Sequence, residues 1–391
     1  STGHSMRKFW PPKRKRVEIV RIIDPSSKFK LPGFVRKVLL IQLGDIGDVV
    51  WTTPSIRAAR SAVPDGKVSV MVREGFGDLL EADPAIDRVF EAKHYRGNLL
   101  RQAASQLSFL RDLRAERFDL AVDLRLGDRG AFMAFATGAP IRVTLYYPKN
   151  IPFWRNYLFT HGVEVGPPVH PFGAAEQSLR ILRKLGIDTD DVTPGLWVAD
   201  SVNGRVREIL AREKMNGSKG WITVNPFSRW PYKEWDTLKW IEVINWLGRN
   251  YAIPVIIVGS REEQAKAEDI RRQCKSGTFN FAGLTTLAEL AGLLGQSLLH
   301  IGVDSAAPHI AAATGAPTIT IYGPSSWKEW APVGKSHRVI VSNMDCVPCR
   351  QKGCDGSGRS RCLETLTVDQ VKPVIRKAMD ELLPKIHPIE D

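Results

Sequence analysis

Residues 37–54 read KVLLIQLGDIGDVVWTTP. Lys37–Gln42 is short, apolar and bounded by Gly44, the pattern of a strand buried in a parallel sheet. The residues after Gly47 carry apolar and small side chains at helical spacing and run towards Pro64. Strand, glycine turn and helix in that order begin a βαβ unit. KVSVMV at 67–72 and DLAVDL at 119–124 repeat the strand pattern, so the first half is expected to be a doubly wound α/β layer. Residues 140–175 are irregular, and a helix over Ala174–Leu185, ended by Gly186, follows them.

A second alternating series starts near residue 220. Strands are expected at 221–225, 253–258, 297–303 and 317–323, with helices at 235–250, 262–274, 286–297 and 306–315. This order suits a second parallel sheet. A last helix is expected over Val368–Leu383. The chain has 391 residues, enough for two cores. The expected division is a first Rossmann-like domain over 37–190, a connector, a second over 205–366, and a helix and tail over 367–391. Two such α/β domains leave a cleft at the carboxyl ends of their strands, where ligands bind in open parallel sheets.

The formal charge is +13. No apolar run reaches the ~18 residues of a membrane span, and no secretory leader pattern opens the chain, so a cytoplasmic protein is expected. Ser1–Ser5, ahead of Met6, read as a tag remnant. Arg7, Lys8, Lys13, Arg14, Lys15 and Arg16, with Phe9 and Trp10 among them, fit either an anionic membrane surface or a solvated tail. No nucleic-acid motif accompanies the charge.

Three turns carry chemistry. In LGDIGDVVWTTP, Gly44 and Gly47 let backbone approach a ligand, but the pattern is not G-x-G-x-x-G, which disfavours a nicotinamide dehydrogenase. Asp48 is either the N-cap of the helix or a general base for an acceptor hydroxyl. In NPFSRWPYKEWD (225–236), Ser228, Arg229 and Lys233 lie between strand and helix, where cations and hydroxyls suit a diphosphate, or else form a solvated turn. In IGVDSAAPHIAAATG (301–315), Asp304 ends a strand, Ser305 can cap the next helix, and Ala306 and Ala307 leave room at its start. His309, one turn in, is structural or ligand-facing.

Together these motifs resemble glycosyltransferase family 9, the ADP-heptose:lipopolysaccharide heptosyltransferases, over roughly residues 37–378. The resemblance implies a GT-B fold, inversion at the anomeric carbon and no catalytic cofactor or metal. It implies Asp48, rather than Asp45, as the catalytic base and Lys233 as the donor-phosphate lysine. V-D-S-A-A-P-H matches the family's V-D-T-G-x-x-H, so Asp304, Ser305 and His309 join the donor set, with Ala306 where the family has glycine. Ser228, Arg229, Ala307 and Gly259 complete the expected donor side. Gly47, Thr52 and Arg142 are the acceptor-side candidates, Arg142 on charge and the irregularity of its segment alone, which also holds Lys149, Arg155 and His170. The expected partners are ADP-heptose and a lipopolysaccharide core, reached at the cytoplasmic face of the inner membrane, with no nucleic acid.

Cys346, Cys349, Cys354 and Cys362 are read either as a structural zinc or iron site or as reduced thiols. Cys274, alone on a helix, is read as a packing residue. The rival functions are a GT-B transferase using another sugar nucleotide or a protein hydroxyl, a nucleotide-sugar epimerase, and a non-catalytic scaffold on the same fold.

Overall fold

The computed structural model describes residues 21–23, 29–93, 99–146, 153–165, 174–215, 220–275 and 277–386. Ser1–Ser5, the basic run Arg7–Arg16, Lys149 and His170 lie outside the described residues.

In chain order the first half contains β1 (Arg21–Ile23), β2 (Lys37–Ile41), α1 (Ile46–Ala62), β3 (Lys67–Arg73), β4 (Arg88–Ala92), α2 (Leu99–Ala115), β5 (Leu120–Asp123), α3 (Asp128–Ala136), β6 (Ile141–Leu145), β7 (His161–Val163) and α4 (Ala175–Arg183). The strands form one parallel sheet in the order β1-β7-β6-β5-β2-β3-β4. β2 sits between β3 and β5 because it is apolar on both faces. Val38 and Leu40 pack with Val68, Val70 and Val122 on one side, while Leu39 and Ile41 meet Met71, Phe90 and Ala121 on the other. The period-2 alternation of a strand places successive side chains in opposite layers.

The second half contains α5 (Asp200–Arg212), β8 (Ile222–Asn225), α6 (Thr237–Tyr251), β9 (Val255–Ile257), α7 (Gln264–Gln273), β10 (Thr278–Asn280), α8 (Leu287–Gly295), β11 (Leu299–Val303), α9 (Ala306–Ala313), β12 (Thr318–Ile321), α10 (Trp327–Trp330), β13 (His337–Ile340), α11 (Arg361–Thr365) and α12 (Val368–Ile386). Its sheet is also parallel, in the order β10-β9-β8-β11-β12-β13. Val371, Ile375, Ala378 and Met379 of α12 close its core, beside the edge-to-face pair Trp235–Trp240.

The structure adds edge strands that the sequence pattern did not reveal. β10 separates the two helices read as successive, and β1 pairs with β7 ahead of Lys37. α5 replaces part of the expected connector. Gly186, with φ of 75°, ends the turn after α4 as expected.

Asp123, at the end of β5, and Arg155 form an ion pair of 2.8 Å with side chains 1% and 3% exposed. Burial pushes the Asp123 carboxyl up to about 7, against the pull of Arg155. Arg155→Leu is therefore expected to cost about 3–5 kcal/mol at pH 8, where Asp123 must either stay charged without its cation or take up a proton. The folded state binds the Asp123 proton more tightly than the unfolded chain does. Stability from this group is thus present at low pH and lost as pH rises through its folded value. Urea titrations should show a smaller loss at pH 5; equal losses at both pH values would contradict this account.

Candidate active site

All strands of both sheets run parallel, so each sheet presents its carboxyl ends along one edge. These edges line one cavity of about 1230 Å³, which takes Asp45–Asp48 from the first half and Ser228, Lys233, Asp304 and Ser305 from the second. The halves touch where α1 meets α9. A Cβ on Gly47 would stand 3.2 Å from His309 Cδ2, and the Trp51 ring meets His309 edge-to-face at 5.8 Å. Arg229 reaches across the cleft to Asp45 Oδ1 at 3.0 Å, which also holds Arg73 at 2.8 Å.

Asp48 is not the N-cap of α1. That position belongs to Asp45, and Asp48 occupies the third helical residue. Its Oδ2 accepts the Asp45 backbone N–H at 2.8 Å and pairs with Arg125. The N–H bond folds the carboxylate back over the glycine turn. A Cβ on Gly44 would lie 2.5 Å from Asp48 Oδ2. Burial raises the Asp48 carboxyl, while Arg125 and the Asp45 N–H pull it down. A carboxyl raised by burial is a stronger proton acceptor when ionised. Gly44→Ala is expected to displace this carboxylate and lower kcat by roughly 10²-fold, with donor binding kept. An unchanged kcat would show that the carboxylate position is not what Gly44 protects.

On the opposite wall, Lys233 Nζ stands 2.7 Å from Asp304 Oδ2, with the Asp304 side chain 7% exposed. Lys233 sits on a single 3₁₀ turn, Pro231–Lys233, whose proline begins it. Ser228 Oγ accepts the Trp230 N–H at 3.3 Å and donates to the Asp304 carbonyl at 3.5 Å. Ser305 is the N-cap residue of α9, but its hydroxyl makes no capping bond. Among the described residues, Ser305 Oγ and His309 Nδ1 are buried without a hydrogen-bond partner. Orphaned polar atoms beside a helix N-terminus suit a polar, anionic ligand. Burial lowers His309 to about 4, so it is neutral at pH 7. Ala306 and Ala307 line the cavity at the helix start. Gly259 lines it too, and any Cβ there would meet Glu263 Oε2 at 2.9 Å.

Two acceptor-side expectations are not met in place. Thr52 is 1% exposed; its hydroxyl donates to the Asp48 carbonyl at 2.8 Å and accepts from Gln42 Nε2 at 2.7 Å. Arg142 stands at the start of β6, the end of the sheet away from the cleft. Its guanidinium donates to the carbonyls of Leu158 and Ala139 and lies over Phe135. Charge in an irregular segment carried no direction. Conversely, Arg125 and Arg350 escaped the sequence reading. Arg350 lines the donor wall beside Glu329, with which it pairs.

The four clustered cysteines are free thiols. Burial, with Cys349, Cys354 and Cys346 nearby, pushes Cys362 up to about 11. Yet among the described residues no group of three or more His, Cys, Asp or Glu side chains is placed to hold a metal ion. The segment delivers Arg350 and Gln351 to the cleft and lays Lys352 Nζ 5.8 Å from the Trp230 ring centre. Cys274 packs against the second core.

Known proteins resemble this chain in sequence and in fold. The family model for glycosyltransferase family 9 (heptosyltransferase) matches residues 106–358. Lipopolysaccharide heptosyltransferase 3 of Escherichia coli K12 is 26% identical over 88% of this chain and 97% of its own. The structure of E. coli ADP-heptose lps heptosyltransferase II superposes with a TM-score of 0.71 at 19% identity, over 88% of this chain and 99% of that one. The dodecameric iron-containing heptosyltransferase TibC of enterotoxigenic E. coli, solved with ADP-D-beta-D-heptose, gives 0.54 at 17% identity, over 91% and 78%. The fold is therefore GT-B, two Rossmann-like doubly wound units facing a central cleft, and the chain is a glycosyltransferase. It belongs to glycosyltransferase family 9, the heptosyltransferase family.

Proposed function

We propose that this enzyme moves a heptose from ADP-heptose onto the inner core of a lipopolysaccharide, with inversion at the anomeric carbon. The first unit (residues 37–190) takes the acceptor and the second (205–366) the donor, and the region 367–391 contains the closing helix Val368–Ile386. The observation that carries this reading is the opposition, across one cavity, of Asp48 to the Lys233–Asp304 pair. Asp48 removes the acceptor hydroxyl proton as the oxygen attacks the anomeric carbon. The ADP leaves from the opposite side, its growing charge met by Lys233, Ser228, Arg229 and the start of α9. Asp304 holds Lys233 in place and faces an oxocarbenium-like centre with a carboxylate. No step needs a cofactor or a metal.

Two of the relatives named above are lipopolysaccharide heptosyltransferases by name, which supports this acceptor, and the TibC structure holds ADP-D-beta-D-heptose, which supports this donor. Among the described residues no helix is long and apolar enough to cross a membrane. The proposed meeting with a membrane-held acceptor is at the cytoplasmic face, with the basic run Arg7–Arg16 as the contact with anionic lipid.

The test is calorimetric binding of ADP-heptose beside ADP, UDP-glucose and NAD. Preferred binding of ADP-heptose is expected. Binding of UDP-glucose or NAD without an ADP-heptose signal would overturn the donor assignment. TibC contains iron, and a metal on Cys346, Cys349, Cys354 and Cys362 is the alternative use of that segment. Elemental analysis of chelator-free protein decides between the two: stoichiometric iron or zinc that is lost in Cys362→Ser shows a metal site, and a content near zero leaves reduced thiols.

A further inference from the structure

Three observations meet at Arg125. Its guanidinium pairs with the oxygen of Asp48 that also accepts the Asp45 N–H. Its backbone N–H donates to Asp123 Oδ1 at 3.2 Å, and Asp123 is itself anchored by Arg155 in the core. The main chain is thus tied to the core, and a turn of the side chain away from Asp48 would leave that tie in place. That side chain is 44% exposed, against 12% for Asp48, so a ligand reaches the arginine before the carboxylate.

A separate hollow of about 270 Å³ opens beside the pair, lined by Asp48, Arg125, Gln177, Ser178 and Arg180. It lies in the first half, so it extends the acceptor side. Two arginines make it attractive to an anion. Besides Arg125, and Arg180 from α4, the charges around Asp48 are Asp45 on its own turn, Arg73 from β3 and Arg229 from the opposite wall, both of these arginines paired with Asp45. From α9 Asp48 is faced across Gly47 by His309, which is neutral.

A carboxylate clamped by guanidinium is a poor base, because the charged form is stabilised. We propose that Arg125 is a positioning residue that clamps Asp48 in the acceptor-free enzyme, and that an anionic group on the acceptor sugar draws it off and frees the base. The guanidinium exchanges one anion for another, and the released carboxylate then takes the hydroxyl proton. Activation of the base is thereby tied to an acceptor that carries negative charge, a phosphate or a carboxylate. The inference rests on Asp48 as the general base.

The test is the pH dependence of kcat/KM for the acceptor and of kcat, in wild type, Arg125→Ala and Arg125→Lys. The acid limb of kcat/KM reports the free enzyme and that of kcat the complex. Because Arg125 lowers Asp48 only while clamped, the wild-type kcat limb should lie at higher pH than the kcat/KM limb. In Arg125→Ala both limbs should sit at the higher position, with acceptor KM raised about tenfold or more. Arg125→Lys, which keeps the charge, should restore part of the separation. Coincident limbs in wild type, or a separation that survives in Arg125→Ala, would overturn the proposal. Failure of the base assignment looks different: Asp48→Asn would keep its turnover and its acid limb.

Discussion

Asp48→Asn is expected to lower kcat by about 10²–10⁴-fold, the usual contribution of a positioned general base, while ADP-heptose binds as in wild type. Asparagine keeps an oxygen that can accept the Asp45 N–H, so the first turn of α1 should survive and the melting temperature should stay near that of wild type. Calorimetry of donor binding and steady-state kinetics separate the two effects. The wild-type rate should fall as pH drops through a value above that of an ordinary aspartate, because burial raises this carboxyl. In Asp48→Asn that limb should vanish from the residual rate. A variant with near-normal kcat would remove Asp48 from the chemistry and leave it a helix-start residue.

Lys233→Ala is expected to lower kcat by about 10²–10³-fold, the scale seen when one preorganised charge stabiliser is lost, and to weaken ADP and ADP-heptose alike. The loss has a second source. Asp304 is 7% exposed and would be left buried without its cation, so the variant should also be less stable at neutral pH. The pair Lys233→Ala with Asp304→Asn separates these causes. Stability should return in the double variant, whereas donor affinity should not. Restored donor affinity would mean that Lys233 serves only to neutralise Asp304.

The elements that the sequence revealed best are those buried on both faces. Lys37–Ile41 could be placed because every residue from Val38 is apolar and fully enclosed. Short edge strands such as Thr278–Asn280 and His337–Ile340 carry polar and half-exposed side chains, so their pattern resembles loop. α5 was hidden by Gly204 inside it, which a helix packed by Val202, Val206 and Leu210 tolerates. At the site, the turns that follow strands were legible because backbone geometry concentrates ligands there. Partnerships were not. Nothing in the sequence joins Arg125 to Asp48, which needs β5 laid beside β2, or Arg229 to Asp45, which needs the two sheets faced. Arg142 shows the reverse error, a charge assigned to the cleft that the strand direction places at the far end.

The central claim is most directly tested by incubating the purified enzyme with ADP-heptose and a truncated lipopolysaccharide core, following ADP release and the mass of the acceptor together. The account predicts one ADP released per acceptor gaining one heptosyl unit, with both signals lost in Asp48→Asn. ADP release without any mass gain on that core, or an equal gain from UDP-glucose, would contradict it.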